Sequence, residues 1–266
     1  MFAQPFLAQL GKGHVDGVYS MATDPNSLER LASASGDGVI KVWNLTSREE
    51  IWHGTAHENI VKSVCWTRDQ KLLSASSDKA IKLFDPYNTP SESKPISSWL
   101  GSSAFTSLSH HRSRNAFAAA SASSVISIYD LERHTAAPET LRWPSATDTI
   151  TAVAFNQSET SVLASCATDR SVLLYDLRMS TPVAKTVLNF TTNALAWNPM
   201  ETFNLATASE DHNAYIFDVR KFDRALNVLK VGNRPVRLHA LGSANAVYRT
   251  MWPPSWTSNS LRPARN

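Results

Sequence analysis

The chain has 266 residues, 42% of them hydrophobic, enough to bury a substantial core. Its formal net charge of +3 comes from the C-terminal end: Arg234, Arg237, Arg249, Arg262 and Arg265 lie beyond residue 230 with no acidic residue among them. Residues 1–230 therefore stand at −2, which argues against reading the basic pI as a nucleic-acid surface. No apolar run reaches the roughly 18 residues of a membrane span, and the first residues lack the basic and apolar regions of a secretory signal. Cys65 and Cys166 lie on expected strands far apart in sequence and read as buried free thiols of a reducing compartment.

In chain order, an apolar lead-in at Phe6–Leu10 precedes Gly13-His14 and a first strand around Val18–Met21. The phrase that follows, Leu31-Ala-Ser-Ala-Ser-Gly-Asp37-Gly-Val-Ile-Lys-Val-Trp43-Asn44, reads as strand, tight turn, strand. It returns as Leu72–Asp85, Leu163–Asp176 and Leu205–Asp218, with a degenerate copy at Phe117–Asp130 in which Ser121–Ser124 replace the turn Asp. The aromatic-plus-Asp/Asn endings fall at 44, 85, 130, 176 and 218, in steps of 41, 45, 46 and 42 residues. A period in the low forties with that ending is the signature of an all-β, WD-repeat β-propeller. About five blades are expected of a seven-bladed ring, leaving the ring incomplete, its edges unpaired and the product marginally stable.

The expected blades are separated by polar or Pro-containing stretches, Asn88–Pro95 and Thr135–Ser145, which read as surface connections. His14 is expected to pair with Asp37 and His57 with Asp78, in buried hydrogen-bond chains that hold each blade; Asp169 and Asp211 occupy the same turn position. A Ser/His/Asp set also suggests a hydrolase triad, but this one recurs with the repeat, sits on turns and lacks a nucleophile elbow, so no catalytic residue is assigned. His110-His111-Arg112 reads as a solvated loop, since two adjacent histidines without a third ligand make a poor metal pair. No metal and no cofactor is implied. The third blade, without its polar chain, is expected to be the least stable.

Val231 onward has neither strand alternation nor the aromatic-Asp ending, and holds Pro235, Pro253, Pro254 and Pro263. Back-translated in another frame, residues 249–266 admit Asp-Asp-Val-Ala-Ala-Val-Met-Asp-Val-Glu-Leu-Ser, an apt sixth-blade strand. The domain division is therefore a propeller at 1–230 and a tail at 231–266, in which Val231–Tyr248 reads as a translated intron and the rest as out of frame. The alternative is a basic tail of the protein proper.

Several phrases carry more than the repeat. Asn193-Ala194, Trp197-Asn-Pro-Met-Glu201, Phe203-Asn204, Glu210-Asp-His-Asn-Ala-Tyr215, Gly13-His-Val-Asp-Gly-Val18 and Ala225-Leu-Asn-Val-Leu-Lys230 resemble the WD-repeat and SOF domain-containing family, as do Met1–Phe6 and Ser47–Glu50. The resemblance implies a nucleolar ribosome-biogenesis scaffold of the small-subunit processome, associated with the U-three snoRNP and pre-rRNA cleavage, with its own pre-rRNA contact indirect. The near-neutral body fits protein contacts better than RNA contacts. The family's SOF segment is not recognisable here. Some members also serve as substrate receptors of cullin-4 ubiquitin ligases, and the adaptor-binding pattern of aromatic-Asp-x-Arg appears as Tyr175-Asp176-Leu-Arg178 and Phe217-Asp218-Val-Arg220. Each Arg could fork onto a partner carboxylate or close on the Asp beside it.

Overall fold

The structure is a computed structural model, and it describes residues 12–89, 94–133, 137–142, 148–179 and 182–230. The lead-in at Phe6–Leu10 and the tail from Val231, with its intron reading, lie outside the described residues.

Twenty strands form five antiparallel four-stranded sheets. The first comprises β1 (Val18–Thr23), β2 (Arg30–Ser35), β3 (Val39–Asn44) and β4 (Glu49–Thr55). The second holds β5 (Val61–Trp66), β6 (Leu72–Ser76), β7 (Ala80–Phe84) and β8 (Ser97–Leu100). The third holds β9 (Phe105–His110), β10 (Ala116–Ser121), β11 (Val125–Asp130) and β12 (Glu139–Arg142). The fourth holds β13 (Ile150–Phe155), β14 (Val162–Ala167), β15 (Ser171–Asp176) and β16 (Pro182–Val187). The fifth holds β17 (Thr192–Trp197), β18 (Asn204–Ser209), β19 (Asn213–Asp218) and β20 (Asn227–Lys230). Within every sheet the strands pair with their sequence neighbours, as a meander.

The recurring Leu-Ala-Ser-Ala-Ser phrase forms the second strand of each sheet. It is small because it is covered on both faces: β6, for example, is buried along its whole length. Apolar residues of consecutive sheets merge into four clusters, such as Ile40, Trp52, Val64 and Phe84 between the first two sheets. The first strands pack side by side, β1 on β5, β5 on β9, β9 on β13 and β13 on β17. Sheets stacked around such a hub make a propeller, here an incomplete one of five blades.

Two details differ from the sequence reading. Residues 139–142, expected within a surface connection, form β12, which pairs with β11 and tucks Leu141 inward. Trp99, which precedes the degenerate third copy in sequence, sits on β8 at the rim of the second sheet, so the repeat is offset from the sheet by one strand. That offset ties each sheet to the next through a continuous chain.

The hairpin between second and third strands also repeats. A left-handed backbone follows the turn Asp at Gly38, Lys79, Arg170 and His212, with φ of 79°, 66°, 69° and 66°. Gly38 is also sterically required, because a Cβ there would lie 2.2 Å from the His57 carbonyl oxygen.

Candidate functional site

The turn aspartates share one local task. Asp37, Asp78, Asp169 and Asp211 each accept a hydrogen bond from the backbone N–H two residues on, at 2.9 to 3.1 Å, closing the hairpin turn. Beyond that they diverge. In the second sheet His57 Nδ1 donates to Asp78 at 2.8 Å, and Nε2 lies 2.8 Å from the Ser74 hydroxyl, with the imidazole fully buried. In the first sheet His14 Nε2 lies 2.7 Å from Ser33 Oγ, which also accepts the Trp43 indole N–H at 2.8 Å. His14 Nδ1 stands 3.5 Å from Asp37, too far for a short hydrogen bond.

The other two aspartates hold no histidine among the described residues. Asp169 takes the Ser171 hydroxyl and a distant Lys185 at 3.9 Å. Asp211 takes Asn213 and the Tyr215 hydroxyl. Sequence grouping thus placed four aspartates on one turn position, while among the described residues the structure hydrogen-bonds Asp78 to a histidine and sets Asp37 3.5 Å from another.

Burial drives the His57 and His14 imidazoles below their usual pKa, against the pull of Asp78 and Asp37. Burial opposes ionisation of Asp78, but hydrogen bonds from His57 and the Ala80 N–H outweigh it and hold the carboxyl low. These groups lie in separate sheets with their lone pairs and protons turned on one another. Such an arrangement fastens turns.

His110 and His111 depart from the solvated-loop expectation. His110 ends β9, and burial pushes its imidazole down to about 4. His111 is buried against Phe155, with Nδ1 accepting the backbone N–H groups of Ser113 and Arg114. The apolar residues of the neighbouring sheet, unseen in the local sequence, are what exclude water here. Among the described residues no group of three His, Cys, Asp or Glu side chains could hold a metal.

Arg178 and Arg220 occupy equivalent exits from β15 and β19. Each closes on the Asp two residues before it, with Nε and Nη2 donating at 2.8 to 3.0 Å. Their guanidinium groups nonetheless stay exposed, and Arg220 also lies over the Phe203 ring, 4.4 Å from its centroid. A cleft of about 360 Å³ beside Arg178 is lined by Arg114, Glu159 and three hydroxyl residues.

The hub holds features the sequence reading missed. Backbone N–H groups of Val64, Leu108 and Val153 donate to Ser20, Ser63 and Ser107 of the preceding sheet, at 3.1 to 3.3 Å. The three serines hold the same place in β1, β5 and β9, and that recurrence was the available signal. The indole N–H groups of Trp66 and Trp197 likewise donate to Ala22 and Ala154 carbonyls, each at 3.0 Å. The hub forms an open hollow of about 580 Å³ lined by all five first strands.

Repeated four-stranded meanders around a hub, with Asp-closed hairpins, define a WD-repeat protein. Residues 6–44, 49–85, 139–176 and 187–218 match the family described as "WD domain, G-beta repeat", and the chain belongs to that family. The match passes over residues 86–138, which contain most of the third sheet. More narrowly, the chain is Sof1-like: it is 42% identical to Protein SOF1 of Saccharomyces cerevisiae over 255 residues, covering 86% of this chain and 51% of that protein. It is 42% identical to Protein sof1 of Schizosaccharomyces pombe over 193 residues, 73% of this chain and 42% of that one. It is 38% identical to human DDB1- and CUL4-associated factor 13 over 197 residues, 73% of this chain and 43% of that one. The chain spans about half the length, or less, of these relatives.

Proposed function

We propose that the chain is a non-catalytic WD-repeat scaffold of ribosome biogenesis, acting in small-subunit pre-rRNA processing within the nucleolar processome. The observation that carries this reading is the likeness to Protein SOF1 over 86% of the chain. Histidine and aspartate residues spent on closing turns support a binding rather than a chemical role, and no small-molecule substrate or membrane partner is called for. Contacts to processome proteins and the U-three snoRNP would fall on loops held by rigid sheets, with pre-rRNA reached through them. A tagged chain purified from nuclear extract should enrich U-three RNA and early pre-rRNA over an unrelated propeller. Equal recovery of both RNAs with the unrelated propeller overturns the assignment.

A second reading, substrate receptor of a cullin-4 ubiquitin ligase, is favoured by the paired exposed Asp–Arg forks and by the name of the human relative. Asp176 and Asp218 would pre-orient Arg178 and Arg220 for a partner carboxylate. The double variant Arg178→Ala, Arg220→Ala should lose at least tenfold in adaptor pull-down, about 1.4 kcal/mol. Unchanged recovery removes this reading and leaves the first intact.

A further inference from the structure

The two end sheets differ on the face that has no neighbouring sheet, and the repeats supply an internal standard. The Leu of each second strand points back towards the preceding sheet. Leu72, Leu163 and Leu205 are each 0% exposed, whereas Leu31, with no sheet before it among the described residues, is only half-buried. The residues that alternate with that Leu point forward: Ala32, Ala34, Ile40 and Val42 share a core with Val64, Trp66 and Phe84 of the second sheet. Ala206, Ala208, Ala214 and Ile216 hold the same forward places in the fifth sheet, with the same pairing across β18 and β19. No sheet follows the fifth among the described residues. These four residues are nonetheless 1, 0, 0 and 3% exposed, and they belong to none of the four apolar clusters. A bare sheet face leaves its side chains partly in water, as Leu31 shows, so the forward face of the fifth sheet is covered.

The first sheet is not the cover, because its own outer Leu31 stays open to water. The chain before Lys12 departs from that first sheet too, since the Lys12 carbonyl accepts from Lys41 of β3. Residues 231–266 depart from the right place. They continue directly from β20, whose Leu229 pairs with Ala214. Their sequence supplies Leu238, Leu241, Trp252 and Trp256, with five arginines and no carboxylate against a body at −2.

We propose that the forward face of the fifth sheet is the docking site of the chain's own C-terminal segment, residues 231–266, which caps the stack where a sixth sheet would pack. Alanines leave room for large side chains laid across them, as Ala32 and Ala34 do in the core that holds Trp52, Trp66 and Phe84. The arginines give the cap a charged outer side. Repeat stacks need an end unit that is apolar within and polar without, or their ends join one another. The capped face is therefore shut to a second copy and to any partner that does not first displace the segment. The inference concerns the chain's own closure and is read on purified protein, so its failure leaves the processome assignment standing.

The test places a thiol on the covered face of the full chain, Ala208→Cys, and another on an exposed turn, Ser158→Cys. Burial pushes the Cys65 and Cys166 thiols up to about 12, which keeps their background low. N-ethylmaleimide should label Ala208→Cys at least tenfold more slowly than Ser158→Cys. Adding Leu238→Ser, Leu241→Ser, Trp252→Ser and Trp256→Ser should speed labelling of Ala208→Cys at least tenfold, while Ala118→Cys in the third sheet stays protected. If Ala118→Cys opens equally, the substituted chain has unfolded and the unsubstituted sequence decides. There, photo-leucine should join tryptic peptide 238–249 or 250–265 to peptide 186–220 within one chain. Equal labelling of Ala208→Cys and Ser158→Cys, protection unchanged by the four serines, protection lost on dilution, or absence of that crosslink each overturns the proposal.

Discussion

The second and third sheets share strand order, pairing and neighbours, yet their hairpins are held differently. In the second sheet Asp78 closes the turn, Lys79 takes the left-handed backbone, and His57 ties both to Ser74 in the sheet interior. In the third, Ser121 and Ser123 face one another at 2.7 Å, and the turn has no left-handed residue. Its histidine, His110, is half-buried at the end of the first strand, its Nε2 inaccessible and, among the described residues, without a carboxylate bonded to it. One sheet uses its buried polar atoms as a fastener; the other leaves one unused. A repeat can therefore keep its fold after losing its polar chain, because apolar packing between sheets carries the architecture.

The largest break in that comparison is His57→Ala. It leaves Asp78 and Ser74 facing a cavity, and should cost about 3 kcal/mol in a denaturant titration. The loss should appear as faster hydrogen exchange in β6 than in β10. Equal exchange in the two strands would show that the chain does not fasten its sheet.

The next effect is acid sensitivity, and it should centre on the third sheet. A histidine with a lowered folded pKa is protonated first in the unfolded chain, so stability is complete above the unfolded value near 6.5 and falls as pH drops towards the folded value. For His110 that window runs from 6.5 to about 4. It should cost about 2 kcal/mol by pH 5. His57 contributes in the same direction, but Asp78 opposes the shift. Thermal melts at pH 7 and pH 5 should show the drop, and His110→Gln should flatten most of it; a drop unchanged by that variant would place the sensitivity elsewhere.

The smallest effect sharpens the comparison from the other side. Ser123 holds the place in its hairpin that Asp37 holds in the first, two residues before a strand N–H. Ser123→Asp should close the turn onto Val125 and add about 0.5 kcal/mol, the worth of one exposed turn bond. A melt that moves downward would show that the third hairpin cannot adopt the geometry of its neighbours.

Most of the sheet core was legible because repeats write it four times over: Leu31, Leu72, Leu163 and Leu205 mark one strand position, and Trp43, Phe84, Tyr175 and Phe217 another. The outer strand β12 was not, since Glu139–Arg142 lies beside two prolines and its pairing depends on a neighbour rather than on its own pattern. His57 with Asp78 was readable by analogy between repeats. The distance between His14 and Asp37 depended on backbone placement across a hairpin, whereas the segments leading into the fourth and fifth sheets, residues 143–150 and 185–192, contain no histidine to pair with Asp169 or Asp211. His110 and His111 were misread because what buries them comes from another sheet. The hub cavity, made by five segments at about 44-residue intervals, has no local signature at all.

The serine seams have a mechanical consequence. Each runs one way only, from an N–H of one sheet to a hydroxyl of the sheet before it, and all lie near the axis. Towards the rim, consecutive sheets meet mainly through apolar side chains. Force applied at the periphery should thus bend the first four sheets like a fan about a pinned pivot, with the rims splaying before the seams near the axis open.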